Sequence, residues 1–214
     1  MKTNSLNSEV RRVRKSPEHK IVLMRLREFK EFANKPEFEW FSELCFCILT
    51  ANAKFKTASE VQAALGTEGC RSCSLKELVS CIRHHKHRFH NMKAKYIVEA
   101  RRHEGLKKTI TYIAAEQGTS AAREWLVHNV KGIGMKEASH FLRNVGYTDI
   151  SILDRHILNL MKEHSIIRKV PKPLSKKVYL EIEREFFRLA KSLSINPAEL
   201  DLILWFMKAG VVGK

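Results

Sequence analysis

The chain has 214 residues, 44% hydrophobic and 29% charged, with nine Gly and five Pro, which suits a packed core and excludes disordered, collagen-like and Pro-rich classes. Its longest apolar runs, such as 44–49, fall far short of the ~20 residues of a membrane span, and its polar, basic opening is not a secretory signal, so a cytoplasmic or nucleoid protein without a membrane partner is expected. Thirty-nine Lys and Arg against 23 Asp and Glu give a formal charge of +16, as expected of a protein that meets a polyanion, because neutralising phosphates releases counterions.

Residues 1–17 (MKTNSLNSEVRRVRKSP) read as a basic arm that frays. Helical periodicity then covers 21–32, 38–51 and 58–65. Cys45 and Cys47 lie in the apolar run LCFCILTA and read as small core residues. Segment 66–74 (GTEGCRSCS) reads as a loop by composition. Its Cys70-x-x-Cys73, with Cys81 beyond, has a metal-like spacing. No fourth ligand stands at a sensible interval, although His84, His85 and His87 are near, so the thiols are read as unligated and no metal is assigned. Over 74–84 the apolar positions Leu75, Leu78, Val79 and Ile82 share one helix face. The short basic stretch 84–90 (HHKHRFH) follows, and further helices are predicted over 93–102, 108–116, 121–127, 136–144, 152–164, 178–193 and 197–207. No sustained period-2 alternation marks a strand, so the fold class is all-α with about ten helices. The expected organisation is the arm, a lobe of 18–56 plus 165–214, and a central lobe of 57–164, with a cleft between the lobes.

The stretch 126–146, LVHNVKGIGMKEASHFLRNVG, carries the chemistry. A helix ends near Asn129, Gly132-Ile133-Gly134 turns the chain, and a new helix starts at about Lys136. Two glycines allow a phosphate to approach peptide N–H groups closely, and the next helix adds its positive N-terminal end. Helix, glycine hairpin, helix over about 123–145 thus reads as a sequence-independent grip on a DNA backbone, against the bland reading of a plain helix connector. Lys136, in the first turn of the new helix, carries a charge that the helix dipole disfavours, and a neutral lysine amine is a nucleophile able to form a Schiff base. By position alone it reads first as a solvated, phosphate-contacting lysine. Asp154 follows eighteen residues later in Ser151-Ile152-Leu153-Asp154, a capping-box pattern, and reads as a helix cap, a fixed anion, or both. His156 reads as a phosphate contact or an ordinary helix histidine.

The string KGIGMKEASHFLRNVG with DRH after it resembles the helix-hairpin-helix DNA glycosylase superfamily related to endonuclease III. Within it the chain is most similar to the type 2 8-oxoguanine DNA glycosylase/abasic-site lyases of archaea and some thermophilic bacteria. EWFSELCFCILTAN (39–52), HRFHNMKAKYIVEAR (87–101) and LDLILWFMKAG (200–210) extend the resemblance over nearly the whole chain. Two departures narrow it. The last cysteine is Cys81, so the C-terminal four-cysteine iron–sulfur cluster of many endonuclease III-like enzymes is missing, and no strand-rich N-terminal domain is readable.

The resemblance implies a bifunctional repair enzyme that flips 8-oxoguanine out of duplex DNA, excises it, and cleaves the abasic strand by β-elimination. Lys136 would attack C1′ and Asp154 would stabilise positive charge on the sugar. Gly132, Gly134, Asn52, Arg88 and His156 would hold DNA, with Asn52 filling the gap left by the flipped nucleotide. Phe89 and Trp205 would wedge or stack, and as plain residues they read equally as core aromatics. The terminal Lys214 would help to tell 8-oxoguanine from guanine, against the bland reading of a solvated tail. A monomer is expected, needing neither redox cofactor nor catalytic metal; a structural cation on hairpin carbonyls near 130–133 is compatible. The competing readings are a glycosylase for another lesion and a non-catalytic DNA-binding module.

Overall fold

A computed structural model describes residues 2–213, with side chains from Ser5 onward. All regular structure among them is helical: α1 (Lys2–Arg14), α2 (Glu18–Phe32), α3 (Glu37–Thr50), α4 (Phe55–Ser72), α5 (Leu75–His84), α6 (His90–Ala100), α7 (Leu106–Gln117), α8 (Thr119–Asn129), α9 (Met135–Asn144), α10 (Arg155–Glu163), α11 (Lys176–Ser192) and α12 (Pro197–Ala209). No helix among the described residues is long and apolar enough to cross a membrane. The chain divides into two units, Met1–Ala33 with Gly146–Lys214, and Asn34–Val145.

The inserted unit is built on α3. From Trp40 to Thr50 every residue of α3 is buried, and a helix apolar all round must be covered on every side. It packs on α4, α6, α7 and α9. The expected lobe boundary at 56/57 therefore moves to 33/34, because α3 is this unit's central helix. The second boundary moves from 164/165 to 145/146. In the other unit the central helix is α12, buried from Ala198 to Leu204 and in contact with α1, α2, α10 and α11. Its ends follow helix-terminus chemistry: Asn196 accepts from Glu199 N at 2.8 Å, Pro197 opens the helix, and Gly210 closes it with φ +71°. The chain leaves this unit at Ala33 and returns at Gly146, where a φ of +106° and the closeness of Ala33 Cβ and Phe29 O disfavour a side chain.

Three local expectations are corrected. The opening segment is helical: Leu6, Val10 and Val13 are buried on one face of α1, which packs on α2 and α12. Burial of that stripe, about 1.5–3 kcal/mol per side chain, outweighs the crowding of Arg11, Arg12 and Arg14 at the helix end. Segment 66–74 is mostly helix as well; α4 continues to Ser72 through a kink at Gly66, where φ is +61°. The capping box at 151–154 does not form, because Ser151 Oγ donates to Glu183 instead and α10 starts later, at Arg155.

Candidate active site

In the inserted unit, α8 and α9 pack on each other around the hairpin 130–134. Gly132 has φ +82°, and the Tyr96 ring of α6 lies against its α-carbon, so only glycine fits here on both counts. The hairpin amides are partly engaged: Ile133 N–H donates to Val130 O at 3.4 Å, and Gly134 N–H to Glu137 Oε2 at 3.3 Å. Arg102 and His103 close the other end by donating to Asn129 O at 3.1 and 2.9 Å. The turn is thus rigid before it meets a ligand.

Lys136 is the second residue of α9 and is half-buried. Its Nζ stands 3.2 Å from Glu137 Oε1, while the other Glu137 oxygen caps the helix through Gly134 N–H. One carboxylate therefore both closes the first turn and sets the position of the amine.

Asn52 sits just past α3, exposed and left-handed at φ +58°. Its backbone is held by the basic stretch: Arg88 Nη2 donates to Asn52 O at 3.0 Å. Nearby, His87 Nε2–H donates to Leu49 O at 2.9 Å and Lys93 Nζ to Ile48 O at 2.6 Å. His87 and Lys93 satisfy carbonyls in the last turn of α3, where intrahelical donors run out, and Arg88 holds the carbonyl just beyond it. His87 accepts the Phe89 N–H on Nδ1 at 3.3 Å, so both ring nitrogens are assigned and the imidazole is neutral. Burial holds its pKa below the usual imidazole value. The Arg88 guanidinium lies 5.1 Å from the Phe89 ring centroid. The structure thus brings Asn52, Arg88 and Phe89 into one place.

In the other unit, Asp154 caps α10, with Oδ1 accepting Ile157 N–H at 2.8 Å. The extended residues before it are fixed by α11: Tyr179 OH donates to Ser151 O at 2.8 Å and accepts from Leu153 N–H at 3.3 Å. The carboxylate therefore stands on a locked backbone. His156, exposed on α10, meets the edge of Trp205 with centroids 5.1 Å apart. Gly213 lies against the same indole, whose buried N–H finds no acceptor among the described residues. Trp205 is thus only half-buried rather than a core aromatic. Lys214 lies outside the described residues.

Sequence reasoning passed over Glu137, Lys93 and Tyr179. Glu137 had a readable signal, an acidic residue three places after a helix-opening glycine. Lys93 had none, because a lysine reads as surface by default. The cysteines form no metal cluster: all five are free, and no group of His, Cys, Asp and Glu among the described residues is arranged to hold a metal. Instead, Arg101 donates to the carbonyls of Cys70 and Cys73, at 3.0 and 2.7 Å.

The sequence profile described as 8-oxoguanine DNA glycosylase matches residues 22–195. A Methanocaldococcus jannaschii protein named 8-oxoguanine DNA glycosylase/AP lyase is 44% identical over 194 residues, 91% of this chain and 92% of its own. A Korarchaeum cryptofilum protein of the same name is 39% identical over the full length of both. Among solved structures, the M. jannaschii glycosylase/lyase in complex with a 15mer DNA containing 8-oxoguanine superposes with a TM-score of 0.92 at 41% identity, covering 98% of this chain and all of that one. The Thermotoga maritima 8-oxoguanine DNA glycosylase gives 0.91 at 39% identity, covering 99% and 100%.

Proposed function

The chain belongs to the 8-oxoguanine DNA glycosylase family, and from that premise we propose that it excises 8-oxoguanine from duplex DNA and cleaves the abasic strand it creates. The glycosidic carbon is out of reach inside a base stack, so the damaged nucleotide is flipped out before reaction. The hairpin with Gly132 and Gly134 takes the DNA backbone, while Asn52 and Arg88 engage the duplex where the nucleotide has left. Trp205, with His156 at its edge, offers a face for the flipped base; Phe89 and Lys214 complete its recognition.

Lys136 is the nucleophile. Its neutral amine attacks C1′, the C1′–N9 bond breaks, and the electron pair leaves with the base, which takes up a proton. The amine loses its own proton and the sugar opens to a Schiff base with Lys136, from which β-elimination breaks the strand on the 3′ side. Asp154 stabilises the positive charge that develops on the sugar, as a carboxylate fixed before the reaction does best. The protein works as a monomer at the nucleoid.

The observation that supports this reading most is the placing of Lys136, a half-buried amine on the first turn after a glycine hairpin, held by a single carboxylate. A module that only grips phosphate has use for a lysine here, but none for this lysine together with Asp154 eighteen residues on. Borohydride added during incubation with an 8-oxoguanine duplex should yield a covalent protein–DNA adduct. Demonstrated binding without an adduct would leave a DNA-binding module, and an adduct only with another lesion would change the substrate.

A further inference from the structure

α6 and the turn after it lie along the hairpin through three successive contacts. Tyr96 is against the α-carbon of Gly132, Glu99 faces Lys131, and Arg102 and His103 donate to Asn129 O. Positions 96, 99 and 102–103 form one stripe at helical spacing. Only the middle contact is an ion pair, with Lys131 Nζ 3.0 Å from Glu99 Oε2. Glu99 is the one acidic residue of α6, in a chain of formal charge +16, and it stands beside the loop that takes phosphate. As a plain surface charge it would only repel the ligand.

Most exposed ion pairs contribute little, because water and salt serve each charge almost as well as its partner. This pair differs at one atom. Glu99 Oε2 is shielded from solvent and accepts no well-formed hydrogen bond among the described residues, so the Lys131 charge is what compensates it. Arg102, one turn on, is engaged with Asn129 O instead. Lys131 itself keeps 62% of its side chain in water, and its backbone adjoins Gly132. A phosphate seated on the hairpin therefore comes within reach of its ammonium.

We infer that Lys131 is a further DNA contact whose availability is set by Glu99. In the free protein Oε2 holds the ammonium; on duplex DNA the ammonium exchanges that carboxylate for a phosphate and leaves Oε2 uncompensated. The exchange makes the hairpin's hold on undamaged duplex weaker than its charge alone would give, so that normal DNA is released readily. The inference rests on the reading that the hairpin takes the DNA backbone. It also has a signature in salt. A lysine that simply gains a phosphate releases about one counterion, whereas one that first gives up a carboxylate leaves that carboxylate to collect a cation, and the net release is close to none.

The test is fluorescence anisotropy on undamaged duplex between about 50 and about 200 mM salt, comparing wild type, Glu99→Gln, Lys131→Gln and the double variant. Glu99→Gln should bind about three- to tenfold more tightly at the low end and steepen the slope of log affinity against log salt by about one. Adding Lys131→Gln should remove both changes, while Lys131→Gln alone should leave the slope close to that of wild type. A Glu99→Gln variant with unchanged affinity and slope overturns the inference and leaves a solvated surface pair. A gain of equal size when Lys131 is already replaced also overturns it, because Glu99 would then act by repulsion alone. Glu99→Ala carries the same expectations should the glutamine variant fail to fold. Wild-type binding that does not weaken with salt would defeat the phosphate grip instead, so the two failures are distinct.

Discussion

Tyr96 occupies the space in which a side chain at Gly132 would begin: a Cβ there would lie 2.3 Å from ring atom Cδ2. The contact ties α6 to the hairpin and makes glycine obligatory twice over, by volume and by its φ of +82°. Gly132→Ala should lower stability by about 2–4 kcal/mol, from left-handed strain together with overpacking. Urea unfolding measures the loss. Adding Tyr96→Ala should return the overpacking share and leave the strain. If Gly132→Ala is neutral alone, the hairpin is looser than this contact implies.

Lys136→Gln should abolish excision and borohydride trapping while leaving affinity for duplex largely intact, because it removes one positive charge among many. Gel trapping and a binding titration on the same preparation read both quantities. A trapped adduct in this variant would put the nucleophile elsewhere.

Asp154→Asn separates capping from chemistry. Asparagine can still accept the Ile157 N–H, so the thermal midpoint should hold, while excision falls by about a hundredfold or more with the loss of the fixed anion. Asp154→Ala should lose the rate and about 1 kcal/mol of stability as well. Wild-type turnover in the asparagine variant would reduce Asp154 to a helix cap.

The pairing of His87 makes a pH prediction. Its imidazole takes up a proton at lower pH in the folded protein than in the unfolded chain. The unfolded state therefore binds more protons below about pH 6.5, and stability should fall from there downward while being unaffected above it. Protonation would also remove the acceptor for Phe89 N–H and release the Arg88–Phe89 turn. His103, lowered by burial in the same way, adds to the slope. Thermal midpoints at descending pH should show the fall, and His87→Gln should make it shallower. An unchanged slope in that variant would remove His87 as its source.

Affinity for undamaged duplex should be strongly salt-dependent, since contacts to several phosphates release as many counterions. Between about 50 and about 200 mM salt the loss should exceed about tenfold. Fluorescence anisotropy gives the slope; a flat response would undercut the phosphate grip.

Most of the helices were legible because an amphipathic stripe needs only a polar outer face to stand out, as in Leu75, Leu78, Val79 and Ile82. α1 was not, because Arg11, Arg12 and Arg14 swamp a stripe of only three apolar residues, and basic composition outvoted period. Gly66 was read as a stop although the helix resumes beyond it, since a single left-handed residue bends a helix without ending it. The unit boundary at α3 was hidden for the opposite reason: a helix buried on all sides has no outer face to reveal its partners. In the site, Gly132, Gly134 and Lys136 were legible from order along the chain. Lys93 and Tyr179 were not, because their roles arise from contacts with Ile48 and Ser151, 45 and 28 residues away in sequence.

The insertion of 34–145 into the other unit also sets a schedule for synthesis. On the ribosome, α1 and α2 emerge first, yet α12, on which both pack, emerges last. At about 5–20 residues per second they must wait on the order of ten to thirty seconds, their apolar faces uncovered, while the inserted unit completes itself. The hairpin and Lys136 can thus be in place before Asp154 and Trp205 have a folded unit to stand in.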